Sequence, residues 1–323
     1  MATSIAGTHR RLVRSNAERR MGTFFLSSAE ADGMRPAVET DDATGRGTLV
    51  EGNELRYIEA GDGDRTVLLL HGGIIDAAHV SWGATIGPLA EDARVIAPDL
   101  LGYGYSEQPD IAYTQKRHVR TIEGFVETLD VDPGRLDVVG TSLGGGVGIA
   151  LALRNPDLVR RLVAVDAFGL GTELPSGYVT FLRSRLNVLN KASFAVLRRS
   201  RGLTKSSLGG VAADPDALDE AVVDAVFELL QTDGIGRAYR SWRKHEVAPS
   251  GFRTHYHTDL DDLEIPALFC HGEHDEVFPI RWSERAAEIA PHGKFERFED
   301  CAHWPPREAT DRFNDLVRSF LSP

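Results

Sequence analysis

A serine hydroxyl is a poor nucleophile near neutral pH unless a base takes its proton and a third group holds that base in place. In this 323-residue chain the serine best placed for such work is Ser142. It lies in Gly140-Thr141-Ser142-Leu143-Gly144, after the apolar run Leu136-Asp137-Val138-Val139 and before the small-residue helical pattern of residues 145–152. Strand, tight turn and helix in that order put a side chain at the tip of a sharp corner, where the residues two positions to either side must be small. The plainer reading is a glycine-rich loop whose serine caps a helix, since the chain holds 32 glycines. Partners for the serine decide between the two.

Two later strand ends supply partners. Ile265-Pro266-Ala267-Leu268-Phe269-Cys270 reads as a buried strand running into His271-Gly272-Glu273-His274-Asp275, so Asp275 falls in a loop at a strand's carboxyl end. Sites in α/β proteins collect there. After a helical pattern over residues 281–290, the alternating stretch Lys294-Phe295-Glu296-Arg297-Phe298 leads into Asp300-Cys301-Ala302-His303-Trp304, which places His303 in the next exit loop. His271 and His274 flank the acid but have no second cluster at ligand spacing, so they read as solvated or capping residues and no metal site is expected.

The order Ser142, Asp275, His303 is that of one serine-triad fold among several. The chain resembles the α/β-hydrolase superfamily through His71-Gly72-Gly73 after the strand Thr66-Val67-Leu68-Leu69-Leu70, through Asp99-Leu100-Leu101-Gly102-Tyr103-Gly104-Tyr105-Ser106, through the serine turn, through Gly272-x-x-Asp275 and through Ala302-His303-Trp304. These landmarks span residues 66–304 in the family's order. The resemblance implies Ser142 as nucleophile, His303 as base and Asp275 as the acid that orients it. Some families of this fold carry the acid after an earlier strand, which makes Asp166 the competitor, with a helix cap or a cavity-entrance residue as its duller role. An oxyanion needs fixed N–H donors. Leu143, which follows the nucleophile, supplies one, and by resemblance Gly73 supplies the other. Trp304 is a candidate substrate contact.

Positioning these groups requires a mainly parallel sheet with helices on both faces, continued upstream by Glu54-Leu55-Arg56-Tyr57-Ile58 and Arg94-Val95-Ile96-Ala97. The expected organisation is a poorly ordered tail and linker over residues 1–46, core over 47–168, an inserted helical cap over 169–255 and core again over 256–323. In the cap, apolar residues such as Phe181, Leu182, Leu186, Val222, Val226 and Leu229 recur at helical spacing, and no strand pattern shows. Periodicity does not tell which of them face a pocket. The cap is also rich in arginine, at Arg183, Arg185, Arg198, Arg199, Arg201, Arg237, Arg240 and Arg243. A guanidinium fork suits a substrate carboxylate, although a solvated helix face is the usual role for any one of them.

Net charge is −12, from 48 acidic and 36 basic residues, which disfavours nucleic acid and anionic lipid as partners. Two cysteines, Cys270 and Cys301, make no disulfide framework, and no apolar run is long enough to span a membrane. A cytoplasmic protein acting on a small molecule is expected, with a homo-oligomer compatible with the sequence. The chemistry needs no cofactor: acyl transfer to Ser142, then hydrolysis of the acyl-enzyme. A carboxylic ester is the general substrate for such a constellation. The chain is also similar to carbon–carbon hydrolases that act on vinylogous diketones from aromatic ring opening, but departs from them at Ile74-Ile75-Asp76, where they carry glycine, proline and a small residue, and at Thr141, where they carry asparagine. A ligand-binding receptor on the same fold is the reading from another class.

Overall fold

The computed structural model describes residues 23–25 and 43–322. The expectation for the rest of the tail lies outside the described residues. Among the described residues nine strands form one sheet: β1 (Thr23–Phe25), β2 (Thr44–Val50), β3 (Asn53–Ala60), β4 (Thr66–Leu70), β5 (Arg94–Pro98), β6 (Leu136–Thr141), β7 (Val159–Val165), β10 (Ala267–Gly272) and β11 (Gly293–Phe298). Their order is β1-β2-β3-β5-β4-β6-β7-β10-β11. The first three strands are joined antiparallel to one another and to β5, and every later pairing is parallel. The expected tail boundary at residue 46 therefore falls inside a strand, because β2 extends the sheet through its register with β3.

The central strands are apolar on both faces because both are covered, as parallel sheets require. Alternation along β4 shows it: Leu68 and Leu70 join one core cluster, while Val67 and Leu69 join another on the opposite face. Helices α2 (Gln115–Glu127) and α3 (Ser142–Arg154) contribute Phe125, Val147 and Leu151 to the first face. Helices α1 (Ala78–Ala90) and α11 (Thr310–Leu321) cover the second with Trp82, Ile86, Phe313 and Val317.

Between β7 and β10 lie helices α4 (Tyr178–Arg185), α5 (Asn187–Leu197), α6 (Arg201–Ser207), α7 (Glu220–Gln231) and α8 (Arg237–Glu246). The stretch is not wholly helical: β8 (Val247–Ala248) and β9 (Gly251–Phe252) form a small antiparallel hairpin that the sequence pattern does not show. Two residues per strand are too few for alternation to be read. A third apolar cluster, with Val222, Val226 and Leu229 of α7 against Ala77, Val80 and Trp304, seats this insertion on the sheet end that carries Ser142. Two further helices, α9 (Arg281–Ile289) and α10 (Pro305–Glu308), follow β10 and β11.

Candidate active site

The corner between β6 and α3 forces Ser142 into a left-handed conformation, with φ 51°. Non-glycine residues enter that region only where the surroundings impose it. The flanking glycines are required by contact: a Cβ at Gly140 would lie 2.5 Å from the Gly144 carbonyl oxygen, and one at Gly144 would lie 2.3 Å from that of Leu70. Both distances are far inside van der Waals contact. The turn closes only because both side chains are missing.

Ser142 Oγ lies 2.9 Å from His303 Nε2, and His303 Nδ1 lies 2.8 Å from Asp275 Oδ2. The second oxygen of Asp275 accepts the N–H groups of Val277 and Phe278, which fixes the carboxylate's rotation. The loop that carries His303 is tied down as well. Its own N–H donates to the carbonyl of Val211, and Glu308 of α10 accepts the N–H groups of Ala302 and Trp304 together with that of Ala213. Residues far apart in sequence thus meet at three strand ends and form a continuous serine–histidine–aspartate hydrogen-bonded array.

Burial alone would raise the Asp275 carboxyl, but the facing imidazoles of His303 and His271 outweigh it and hold the group well below the usual carboxylate range. His271 is not a solvated residue, as its sequence setting implies, but is fully buried at the end of β10. Only His274 of the two flanking histidines is exposed. Asp166, the competing acid, caps no helix and lines no entrance: it is buried beside Asp275 and accepts the Gly272 N–H. Burial pushes its carboxyl strongly upward. Among the described residues, Asp166, Asp275 and His303 are the one group with potential metal-ligating atoms gathered within 4.8 Å.

Two amides are available for an oxyanion. Leu143 opens α3, where the helix dipole is positive, and Gly73 follows β4 in the facing loop. Among the described residues neither N–H has a hydrogen-bond partner, and both residues line the cavity above Ser142. The Gly73 loop is shaped by Asp76, whose Oδ2 accepts the Gly72 N–H and the Ser81 hydroxyl while Oδ1 accepts the Ala77 N–H. Burial lifts this carboxyl to about 6. Ser81 in turn accepts Trp304 Nε1–H, so the oxyanion loop and the histidine loop share one polar chain. Asp76 and Ser81 are invisible to motif reading, except that Asp76 stands where the similar carbon–carbon hydrolases carry a small residue.

The cavity measures about 410 Å³ and is walled mainly by apolar groups, with Phe194, Leu197, Val226 and Trp242 from the insertion and Phe278 and Trp304 from the sheet side. Charged side chains reach it at Asp76, Arg243 and Glu276. Of the eight arginines noted in the insertion, Arg243 is the one that lines this space, with its guanidinium 5.6 Å from the Tyr239 ring centre. Among the described residues no carboxylate forms an ion pair with it. Arg185 and Arg201 instead bind carbonyls or acids at the surface. No helix among the described residues is long and apolar enough to cross a membrane.

The model of the alpha/beta hydrolase fold matches residues 66–309. The chain belongs to the α/β-hydrolase family. It is similar to 2-hydroxymuconate semialdehyde hydrolase of Pseudomonas putida, with 30% identity over 283 residues that span 86% of this chain and 94% of that protein. A 2-hydroxy-6-oxo-6-(2'-aminophenyl)hexa-2,4-dienoic acid hydrolase of Metapseudomonas resinovorans is 28% identical over 272 residues, 84% of this chain and 88% of that one. Among solved structures, a serine hydrolase involved in carbazole degradation (CarC) superposes with a TM-score of 0.72 at 25% identity, covering 86% of this chain and 98% of its own. This α/β hydrolase therefore has relatives named as hydrolases of a 2-hydroxy-6-oxo-dienoic acid and of 2-hydroxymuconate semialdehyde.

Proposed function

We propose that this hydrolase cleaves a small, largely apolar acyl compound through an acyl-Ser142 intermediate. The observation that carries the reading is the continuous array Ser142 Oγ–His303–Asp275, at 2.9 and 2.8 Å, opening on an apolar cavity lined by the Gly73 and Leu143 amides, which have no partner among the described residues. His303 Nε2 takes the Ser142 proton as Oγ bonds to the carbonyl carbon, and the carbonyl π electrons move onto oxygen, where the Leu143 and Gly73 amides stabilise them. When the tetrahedral intermediate collapses, the bond to the leaving group breaks and the imidazolium returns its proton to that group. Water, deprotonated by His303, then attacks the acyl carbon and frees Ser142.

The leaving group distinguishes two substrates. The relatives' names favour a carbon leaving group, a dienolate released from a vinylogous diketone acid, and Arg243 offers a fork for that acid's carboxylate. An ester follows as the second reading, favoured by the apolar walls and by the departure of Thr141 and Ile74-Ile75-Asp76 from the carbon–carbon hydrolase pattern that the sequence otherwise resembles. A fluorophosphonate is expected to label Ser142, and the protein should then be assayed in parallel on a 2-hydroxy-6-oxo-dienoate and on p-nitrophenyl butyrate. Higher kcat/KM on the dienoate supports carbon–carbon cleavage, and the reverse supports an ester. An unlabelled protein that turns over neither would point to a binding receptor.

A further inference from the structure

Behind the triad, four ionisable side chains share one buried space. His271 Nε2 faces only oxygen acceptors: Phe278 O at 3.1 Å, Asp275 Oδ2 at 3.2 Å and Asp166 Oδ1 at 3.5 Å. That nitrogen must carry a proton. Nδ1 lies 2.7 Å from the hydroxyl of Ser283 on α9, a group that accepts as readily as it donates, so this nitrogen can be protonated as well. Asp275 Oδ2 thus sits between two imidazoles, His271 on one side and His303 on the other.

The two acids around His271 are not equivalent. Asp275 has both oxygens hydrogen-bonded, whereas Asp166 Oδ2 is buried with no partner among the described residues. A bare anionic oxygen in an apolar interior is costly, so Asp166 takes up a proton and leaves Asp275 as the anion of the cluster. Burial raises the Asp166 carboxyl, in keeping with its uptake of a proton, and at His271, where burial would lower the imidazolium, the hydrogen-bonded Asp275 carboxylate raises it. Among the described residues no other charged group touches this space. From β7 comes Asp166, from the loop after β10 Asp275, from α9 only a hydroxyl, and from the loop after β11 His303, with Glu308 acting on Asp166 from farther away.

We propose that His271 is a positioning residue for the reaction: its imidazolium, held between Asp166 and Asp275, is the counter-ion that keeps the Asp275 carboxylate ionised and aimed at His303. This rests on the reading of Ser142, His303 and Asp275 as the catalytic array. The sign of the effect does not depend on where the shared proton resides. The working form of the Asp275–His303 pair has net charge −1 and its protonated form has none, so removing a neighbouring cation disfavours the working form.

The test is the pH profile of kcat/KM on whichever acyl substrate turns over best. In H271Q the acid limb is expected to move upward by roughly one pH unit, the size of effect a charge within about 4–6 Å produces. Activity would then fall about tenfold at pH values on that limb and stay near wild type on the alkaline plateau. An unmoved or lowered limb would reduce His271 to a packing role and overturn the proposal. D166N replaces a neutral acid by a neutral amide and should leave the limb within about 0.3 units, well under the shift of a full neighbouring charge. A clear downward move would show Asp166 ionised and paired with His271, which also overturns it. Should H271Q fail to fold, nitrogen-15 NMR of the wild-type histidines carries the test: an imidazolium that stays protonated at pH 7 is expected at this site, and a neutral ring refutes the idea. Full activity in S142A would defeat the catalytic reading alone and leave the His271 spectrum to be judged separately.

Discussion

On the floor of the cavity Ser142, Asp275 and His303 stand at strand ends in segments held by backbone hydrogen bonds, whereas the roof is made of helix faces that present mostly apolar side chains and one guanidinium. The floor is defined by contacts that leave no room for a side chain without a shift, as at Gly140 and Gly144. The roof is defined by volume and by a single charge, with Phe194, Leu197, Val226 and Arg243 around about 410 Å³. Rate should therefore reside below and substrate choice above. Changes to the floor are expected to lower kcat, and changes to the roof to alter KM.

The largest effect is expected for D275N, which leaves His303 in place but removes the anion that orients it: kcat should fall by roughly 10⁴ with KM little altered. A loss confined to KM would break the division between floor and roof. G144A pushes a methyl group against the Leu70 carbonyl oxygen, and should cost about 1–3 kcal/mol in denaturant unfolding at unchanged m value, as overpacked sites do. R243Q sharpens the comparison from above. For a carboxylate-bearing substrate KM should rise about tenfold or more, in line with loss of a charge-assisted hydrogen bond, while a neutral ester keeps its KM. The smallest effect belongs to W304F, which keeps an aromatic ring against the insertion but removes the bond to Ser81 and some packed volume, and should lower stability by about 1 kcal/mol, read from the thermal midpoint.

The same division governs what the sequence discloses. Strands such as Thr66–Leu70 and Leu136–Thr141 announce themselves because a buried parallel strand must be a continuous apolar run, and the serine corner because its glycines are dictated by contact. Ser142, Asp275 and His303 follow from loop position at strand ends, and the structure brings them together. The roof is different. Helical periodicity identifies an apolar face but not its neighbour, so nothing separates Arg243 from seven other arginines before the helices are packed. Asp166, His271 and Asp76 are hidden for another reason: polar residues are normally exposed, and only tertiary contacts reveal that these are enclosed.

The bonds from the His303 loop to the insertion have a mechanical meaning. Val211 receives the His303 N–H, and Glu308 grips Ala213 with the same carboxylate that holds Ala302 and Trp304. Lifting the insertion at residues 211–213 would release the base loop along with it. This edge therefore ties the insertion to the loop that carries His303, so that the position of the imidazole and the seating of residues 211–213 depend on the same few hydrogen bonds.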